Sequence, residues 1–435
     1  MDKYNAIEKT QYIKERYKNY LRTIFKFGDE KLQLLYEQKL SEEDLFKGPY
    51  VGLEMPFIRG KNINELMDEG VICPAFKELS QIDFQRPLYA HQEKAIRHIG
   101  AGNGAIVTTG TGSGKTESFL YPILNEILQD IKQGNVKAGI RAMFLYPMNA
   151  LINDQIDRLR EILRSCPGIT FGFFTGDTQE DITPSERLKL EAVNQIKIPP
   201  NELLSRREMR ETPPHILFTN YSMLEYMLIR PNDYKIFATE NLDNWKYVVL
   251  DEAHTYSGAQ GIEMAFLLRR VIGFSSKKPK FILTSATLGE KGKSDKQIVE
   301  FANKLTGCVF STKDIIFADR YSFEKDSLYY AVDGTDYVNI LERLSKYKDI
   351  AADLLEKYNL PQVGNVKNIL YELLIHDNNT YRLYEILSHG ARDFKDIWLE
   401  YNNKLTEKEI VSLIELVNFA EAKNGRGVFD LKYHS

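Results

Sequence analysis

The chain has 435 residues, of which 43% are hydrophobic and 27% charged, with a formal net charge of −4 at pH 7. That length carries two or three domains with sizeable cores, and the charge balance excludes a global cationic field, so a nucleic-acid site would have to be a local basic groove. The three cysteines, Cys73, Cys166 and Cys308, have no Cys-x-x-Cys or zinc-spaced histidine partner, which argues against a metal cluster. The N-terminal residues lack the apolar core of a signal peptide, and no run is long enough to span a bilayer. The expectation is a reduced, cytoplasmic protein.

Residues 1–83 read as charged amphipathic helices followed by irregular chain. Tyr12-Ile13, Tyr17, Tyr20-Leu21 and Ile24-Phe25 recur at helical spacing, a stripe that reads as packing. Lys47-Gly48-Pro49 and Phe57-Ile58-Arg59-Gly60 mark turns. From residue 84 to 325 strand-like runs alternate with helical ones. The strands are Ala105–Thr109, Met143–Tyr146, Thr170–Thr175, His215–Thr219, Tyr247–Leu250 and Phe281–Thr284, separated by helical patterns such as Asn149–Leu163 and Ala259–Ile272. Such alternation predicts an α/β domain with a central parallel sheet and helices on both faces.

The polar stretch from Asp181 to Pro214, with Arg206, Arg207 and Arg210, reads as an insertion, either a solvated loop or the border of a nucleic-acid face. Residues 326–435 change to short helices punctuated by Pro361, Gly364 and Asn424-Gly425. Within them Leu383 to Phe419 reads either as a helix-turn-helix or winged-helix unit or as part of an all-helical packing domain. The chain finishes on a strand-like run, Phe429 to Ser435.

The chemistry concentrates at Gly110-Thr111-Gly112-Ser113-Gly114-Lys115-Thr116. This glycine-rich turn joins the apolar run at Ala105 to the amphipathic pattern beginning at Phe119, and so presents backbone N–H groups at a helix N-terminus, where phosphate binds. Lys115 would reach the β- and γ-phosphates of a nucleoside triphosphate and the Thr116 hydroxyl would ligate Mg²⁺. The general pattern has glycine where this chain has Thr109. Downstream, Tyr247-Val248-Val249-Leu250 runs into Asp251 and Glu252. Ligand sites of parallel sheets lie at the carboxyl ends of strands, so both carboxylates would emerge beside the glycine turn. Asp251 would support Mg²⁺, largely through water, and Glu252 would orient and deprotonate the attacking water.

Asp251-Glu252-Ala253-His254, taken with the P-loop, resembles a DEAH-type helicase of superfamily two. Further blocks stand in that family's order. Leu88-Tyr89-Ala90-His91-Gln92 resembles the Q motif, Leu145-Tyr146-Pro147-Met148-Asn149-Ala150-Leu151 motif Ia, and Ser285-Ala286-Thr287 motif III. Thr175-Gly176-Asp177 and Leu217-Phe218-Thr219-Asn220-Tyr221-Ser222-Met223-Leu224 resemble segments that contact nucleic acid. The wording is similar to the MrfA/YprA-like branch, whose relatives include bacterial repair helicases and phage-defence helicases of the DISARM and Druantia kind.

The resemblance implies one RecA-like domain with mainly helical flanks, ATP and Mg²⁺ as cofactors, and single-stranded DNA as partner, with RNA an open alternative. It implies that Tyr89 stacks on adenine while Gln92 bonds its edge, and that His254, Ser285 and Thr287 couple the γ-phosphate state to the strand. Pro147, Asn149, Thr175, Gly176, Thr219, Asn220 and Ser222 would touch phosphates, holding a strand without reading its sequence. Polarity would be 3′ to 5′, and residues 1–83 would cover one side of the motor or extend its DNA groove. Helicases of this type have a second RecA-like domain carrying an arginine finger, and nothing after Thr287 resembles it. The chain is therefore expected to be a fragment or to work beside a partner, and to hydrolyse ATP slowly by itself. The alternative from another class is an ATP-binding switch or scaffold that does not translocate.

Overall fold

The computed structural model describes residues 6–434 apart from 43, 44, 46, 111, 136, 195, 238–243, 274–276, 288–290, 324–329, 348, 349, 351, 361–364, 403 and 424. Thr111, Pro361, Gly364 and Asn424 thus lie outside the described residues. Two compact units emerge, one formed by Phe57–Asp319 and the other by residues 1–56 with 320–435. Residues 57–83 therefore belong with the α/β unit, and the first 56 residues with the C-terminal ones. The strands in chain order are β1 Tyr50–Glu54, β2 Ala105–Thr108, β3 Ala142–Tyr146, β4 Phe171–Phe174, β5 Glu202–Leu203, β6 Ile216–Asn220, β7 Tyr247–Leu250, β8 Lys280–Ser285, β9 Ile315–Phe317, β10 Arg392–Asp393 and β11 Asp430–His434.

Within Phe57–Asp319 eight strands form one sheet in the order β5-β4-β6-β3-β7-β8-β2-β9, every pairing parallel. Parallel strands covered on both faces read as continuous apolar runs, and every residue of β2, β3, β4 and β7 is buried. The side-chain alternation of a strand divides the core in two. Val107, Phe144, Phe218 and Val249 pack with helices Ala90–Gly100 and Lys115–Lys132 on one face. Ile106, Leu145, Leu217 and Val248 pack with helices Tyr221–Ile229 and Gly258–Gly273 on the other. Phe218 knits β4, β6 and β3 together, its ring 4.6 Å from that of Phe144 and 4.7 Å from that of Phe173.

Within this sheet the sequence pattern missed two strands, β5 and β9. β5 is only two residues long and lies inside the polar stretch read as an insertion. Its anchor is a buried ion pair, in which the Arg160 fork donates to both oxygens of Glu202 at 2.7 and 2.8 Å. The stretch also folds into helices Pro184–Asn194 and Arg206–Glu211, so it is not a solvated loop. Its arginines are engaged within the protein: Arg207 with Asp181 and Glu211, Arg210 with Glu180 and Asp233, and Arg206 with the Thr175 and Gly176 carbonyls.

The other unit is mainly helical but also carries a three-stranded antiparallel sheet, β10-β1-β11. Tyr50 pairs with Asp393 on one side and His434 on the other. Helix Glu407–Phe419 buries Ile410, Val411, Leu413, Ile414, Leu416 and Val417. Its first turn carries Glu407 and Glu409, and its apolar face belongs to the core of this unit. The tyrosine stripe is a second departure: Tyr12 and Tyr20 are 58% and 56% exposed, because the two N-terminal helices bury only Ile7 and Leu40 among their described side chains. No helix among the described residues is long and apolar enough to cross a membrane.

At the start of β6 the buried His215 accepts the Thr170 N–H at Nδ1 (3.0 Å). Burial, reinforced by Arg141, pulls its pKa down to about 4, so the folded state holds it neutral. Its stabilisation is present above the unfolded value near 6.5 and is lost as pH falls toward 4, on the order of 3 kcal/mol. Urea unfolding midpoints should fall between pH 6.5 and 4, and His215→Gln should flatten that slope; an unchanged slope in the variant contradicts the assignment.

Candidate functional site

β2 delivers the chain into the glycine turn. Gly112 and Gly114 take left-handed φ of +73° and +69°, a region that glycine enters without strain. Gly114 is also pressed close, since a Cβ there would lie 2.3 Å from Gln92 Nε2 and 2.9 Å from Glu117 Oε2. The fully buried Ser113 hydroxyl reaches Thr109 Oγ1 at 2.7 Å and the Gly110 carbonyl at 2.8 Å. Thr109, the departure from the general pattern, thus supplies an oxygen that braces the turn. Helix Lys115–Lys132 starts directly after it, with Thr116 in its first turn.

The register of neighbouring β7, β8 and β2 sets Leu250 beside Leu283 and Thr108 beside Ser285. The residues after these strand ends therefore meet. Lys115 Nζ donates to Glu252 Oε1 at 2.6 Å, and His254 Nδ1 lies 3.3 Å from Glu252 Oε2 and 3.0 Å from Ser285 Oγ. The Thr287 N–H donates to that same Ser285 oxygen at 3.1 Å. Glu252 holds a φ of +47°, a left-handed conformation costly for a residue with a Cβ and typical of functional sites. Burial pushes the Asp251 carboxyl pKa up, against the opposing hydrogen bond from the Thr284 hydroxyl. Thr284 was not among the residues singled out in the sequence; its only signal is that it precedes Ser285-Ala286-Thr287. Among the described residues no group of three or more His, Cys, Asp or Glu could hold a metal. Asp251 with Thr116 instead matches Mg²⁺, which takes one or two protein oxygens and completes its shell with phosphate and water.

A cleft of about 380 Å³ opens beside the turn, lined by Arg59, Arg86, Tyr89, Gln92, Gly112 and Gly114 among others. Gln92 spends its amide on backbone, accepting from Tyr89 N–H at 2.8 Å and donating to the Gly114 carbonyl at 3.0 Å. Tyr89 stacks on His91 with centroids 5.6 Å apart and planes 12° apart, while the Arg59 guanidinium lies 4.8 Å over the Tyr89 ring centre. Burial lowers the His91 pKa, and its Nε2 contacts the Ser113 carbonyl at 2.9 Å.

The other half of the sheet edge gathers the residues expected to touch nucleic acid. Asn220 ends β6, its Oδ1 caps the following helix at Met223 N–H (2.8 Å), and its Nδ2 donates to Asn149 Oδ1 at 2.7 Å. Asn149 passes the chain on to Asp177 Oδ2 at 3.2 Å. Thr175 N–H is held by Thr178 Oγ1 at 2.9 Å, Pro147 lies between β3 and the helix opened by Asn149, and Gly176 and Ser222 are exposed. Thr219 differs: it is fully buried and its hydroxyl donates to the Phe174 carbonyl at 2.7 Å, so it braces β6 against β4.

A parallel sheet with a P-loop after one strand and a carboxylate pair after another defines a RecA-like nucleotide-binding fold. The sequence model of the DEAD/DEAH box helicase family matches residues 89–294. The chain is 30% identical over 390 residues to the Druantia protein DruE of Escherichia coli (strain UMEA 4076-1), covering 68% of this chain and 21% of that one. It is 32% identical over 214 residues to the uncharacterized ATP-dependent helicase YprA of Bacillus subtilis (strain 168), covering 48% of this chain and 24% of that one. It thus spans about a fifth to a quarter of the length of these curated relatives. Among solved structures, the DUF1998 helicase MrfA bound to DNA aligns at 26% identity and a TM-score of 0.44, over 66% of this chain and 34% of that one. Residues 89–294 thus match a DEAD/DEAH box helicase domain, and the chain is similar over that stretch to ATP-dependent helicases such as YprA.

Gly114→Ala combines a left-handed φ that is costly for a residue with a Cβ with contacts under 3 Å to the Gln92 and Glu117 side chains, so it should lower stability by about 1–3 kcal/mol. A urea midpoint equal to that of the parent chain would contradict this account of the turn.

Proposed function

We propose that this chain is the first RecA-like half of an ATP-dependent DNA helicase or translocase, acting in the cytoplasm in repair or phage defence. The observation that carries the proposal is the contact of Lys115 with Glu252: the cation suited to the β- and γ-phosphates and the carboxylate suited to the attacking water share one edge. The arriving triphosphate draws the Lys115 ammonium onto its own oxygens, and Glu252 is released to orient water and take its proton. Asp251 and Thr116 would hold Mg²⁺, which would supply charge neutralisation on the phosphates. His254, already between Glu252 and Ser285, passes the change to motif III and Thr287. Gln92 exchanges a backbone partner for the edge of the base.

Along the rest of the edge Pro147, Asn149, Thr175, Gly176, Asn220 and Ser222 hold the backbone of single-stranded DNA, with Thr219 supporting them from within. Such contacts position a strand without reading it, and the family resemblance sets movement 3′ to 5′. The described residues contain one parallel sheet. An arginine finger would come from a second RecA-like domain, on a longer polypeptide or a partner chain. A finger is worth about 10³–10⁵ in rate, so this chain alone turns over slowly. The second reading is an ATP-binding switch or scaffold without translocation.

Glu252→Gln should keep ATP binding and lose about 10²-fold or more of the DNA-stimulated hydrolysis. Steady-state ATPase assays with single-stranded DNA and RNA check this and the preferred strand; wild-type turnover in the variant would support the switch. Rapid turnover by the isolated 435-residue chain would refute the need for a second domain.

A further inference from the structure

We propose that Arg59, which lies upstream of the matched helicase segment, is the residue on which the base of the bound nucleotide stacks. The inference rests on the reading of the glycine turn as an ATP site. It begins with the backbone. The segment Ile58–Lys61 anneals to Leu88–Ala90, through Gly60 N–H to Leu88 O at 2.7 Å, Leu88 N–H to Lys61 O at 3.1 Å and Ala90 N–H to Ile58 O at 2.8 Å. Arg59 and Tyr89 are thereby antiparallel partners, and side chains of directly opposed residues project to the same face.

The side chains complete the arrangement. The guanidinium lies over the Tyr89 ring at 4.8 Å and donates to the Pro87 carbonyl at 3.3 Å. Tyr89 is held in turn by the stacked His91 and by the Phe57 ring edge-on at 5.2 Å. Tyr89 is therefore already engaged, and the flat group laid over it beside the cleft is the guanidinium. A guanidinium is planar, weakly hydrated and always charged, and it stacks on π faces where an ammonium does not. A base entering the cleft between Arg59 and Gly112–Gly114 would extend the stack as base, guanidinium and tyrosine. Every base has a π face, so Arg59 gives affinity for the base without choosing among bases, and the choice falls to the edge-reading Gln92. Arg59 thus acts on the base directly, while Tyr89 acts through Arg59 as a positioning residue.

The test compares a ligand that has a base with one that does not. Competition against a fluorescent ATP analogue measures the affinities of Mg–ATP, Mg–GTP and inorganic tripolyphosphate in parallel. Arg59→Ala and Arg59→Lys should weaken ATP and GTP alike by about three- to thirtyfold, leave tripolyphosphate within about twofold, and be rescued for ATP by Arg59→Trp, which restores a flat face without charge. Wild-type ATP affinity in Arg59→Ala overturns the inference. So does equal loss of ATP and tripolyphosphate, or full affinity in Arg59→Lys, because either result makes Arg59 a mere counter-charge. A parent chain that binds tripolyphosphate and ATP equally overturns it while leaving the phosphate site standing; a parent chain that binds neither removes the ATP reading itself.

Discussion

The parallel register of the central sheet governs the site. Leu145 pairs with Leu250, Leu250 with Leu283, and Ser285 with Thr108, so the carboxyl ends of four adjacent strands finish on one line. Chain segments far apart in sequence, Lys115 and Glu252 by 137 positions and His254 and Ser285 by 31, then have no choice but to meet: the turn before Lys115, the pair Asp251-Glu252 and the block Ser285–Thr287. The apolar runs that bury both sheet faces are thus the cause of the polar cluster at its edge. A slip of one residue would exchange the two core faces and carry Glu252 away from Lys115.

At that edge charge is balanced locally. Lys115 and Glu252 satisfy each other at 2.6 Å, which avoids leaving either charge unpaired in a half-buried place. Asp251 leans on the Thr284 hydroxyl, against the burial that pushes its pKa up. The left-handed Glu252 is held because its N–H faces Thr284 Oγ1 at 3.3 Å and its carboxylate bridges Lys115 and His254. Strain, ion pair and hydroxyl form one unit. The same edge continues as neutral amides and hydroxyls through Asn149, Asn220 and Thr175.

Much of this was legible in the sequence because apolar runs and glycine-lysine chemistry are local signals. The six strands read from Ala105 to Thr284 all appear, within a residue or two at their ends. What escaped notice depends on tertiary contacts. β5 is two residues long and is held by the Arg160–Glu202 pair across 42 positions, which no window of sequence displays. β1 lies far from its partners β10 and β11, so the small sheet of the helical unit left no periodic trace there. Thr219 reads as part of an edge motif, yet its hydroxyl turns inward to the Phe174 carbonyl. Arg59 reads as a turn residue because its partner, Tyr89, is thirty positions away.

The central claim is that the turn at Gly110–Thr116 and the carboxylates at Asp251-Glu252 make one nucleotide site. Calorimetric titration of the chain with Mg–ATP tests it most directly. The account predicts one molar equivalent bound, lost in Lys115→Met and retained in Glu252→Gln. Undiminished binding in Lys115→Met, or no binding by the parent chain, would contradict it.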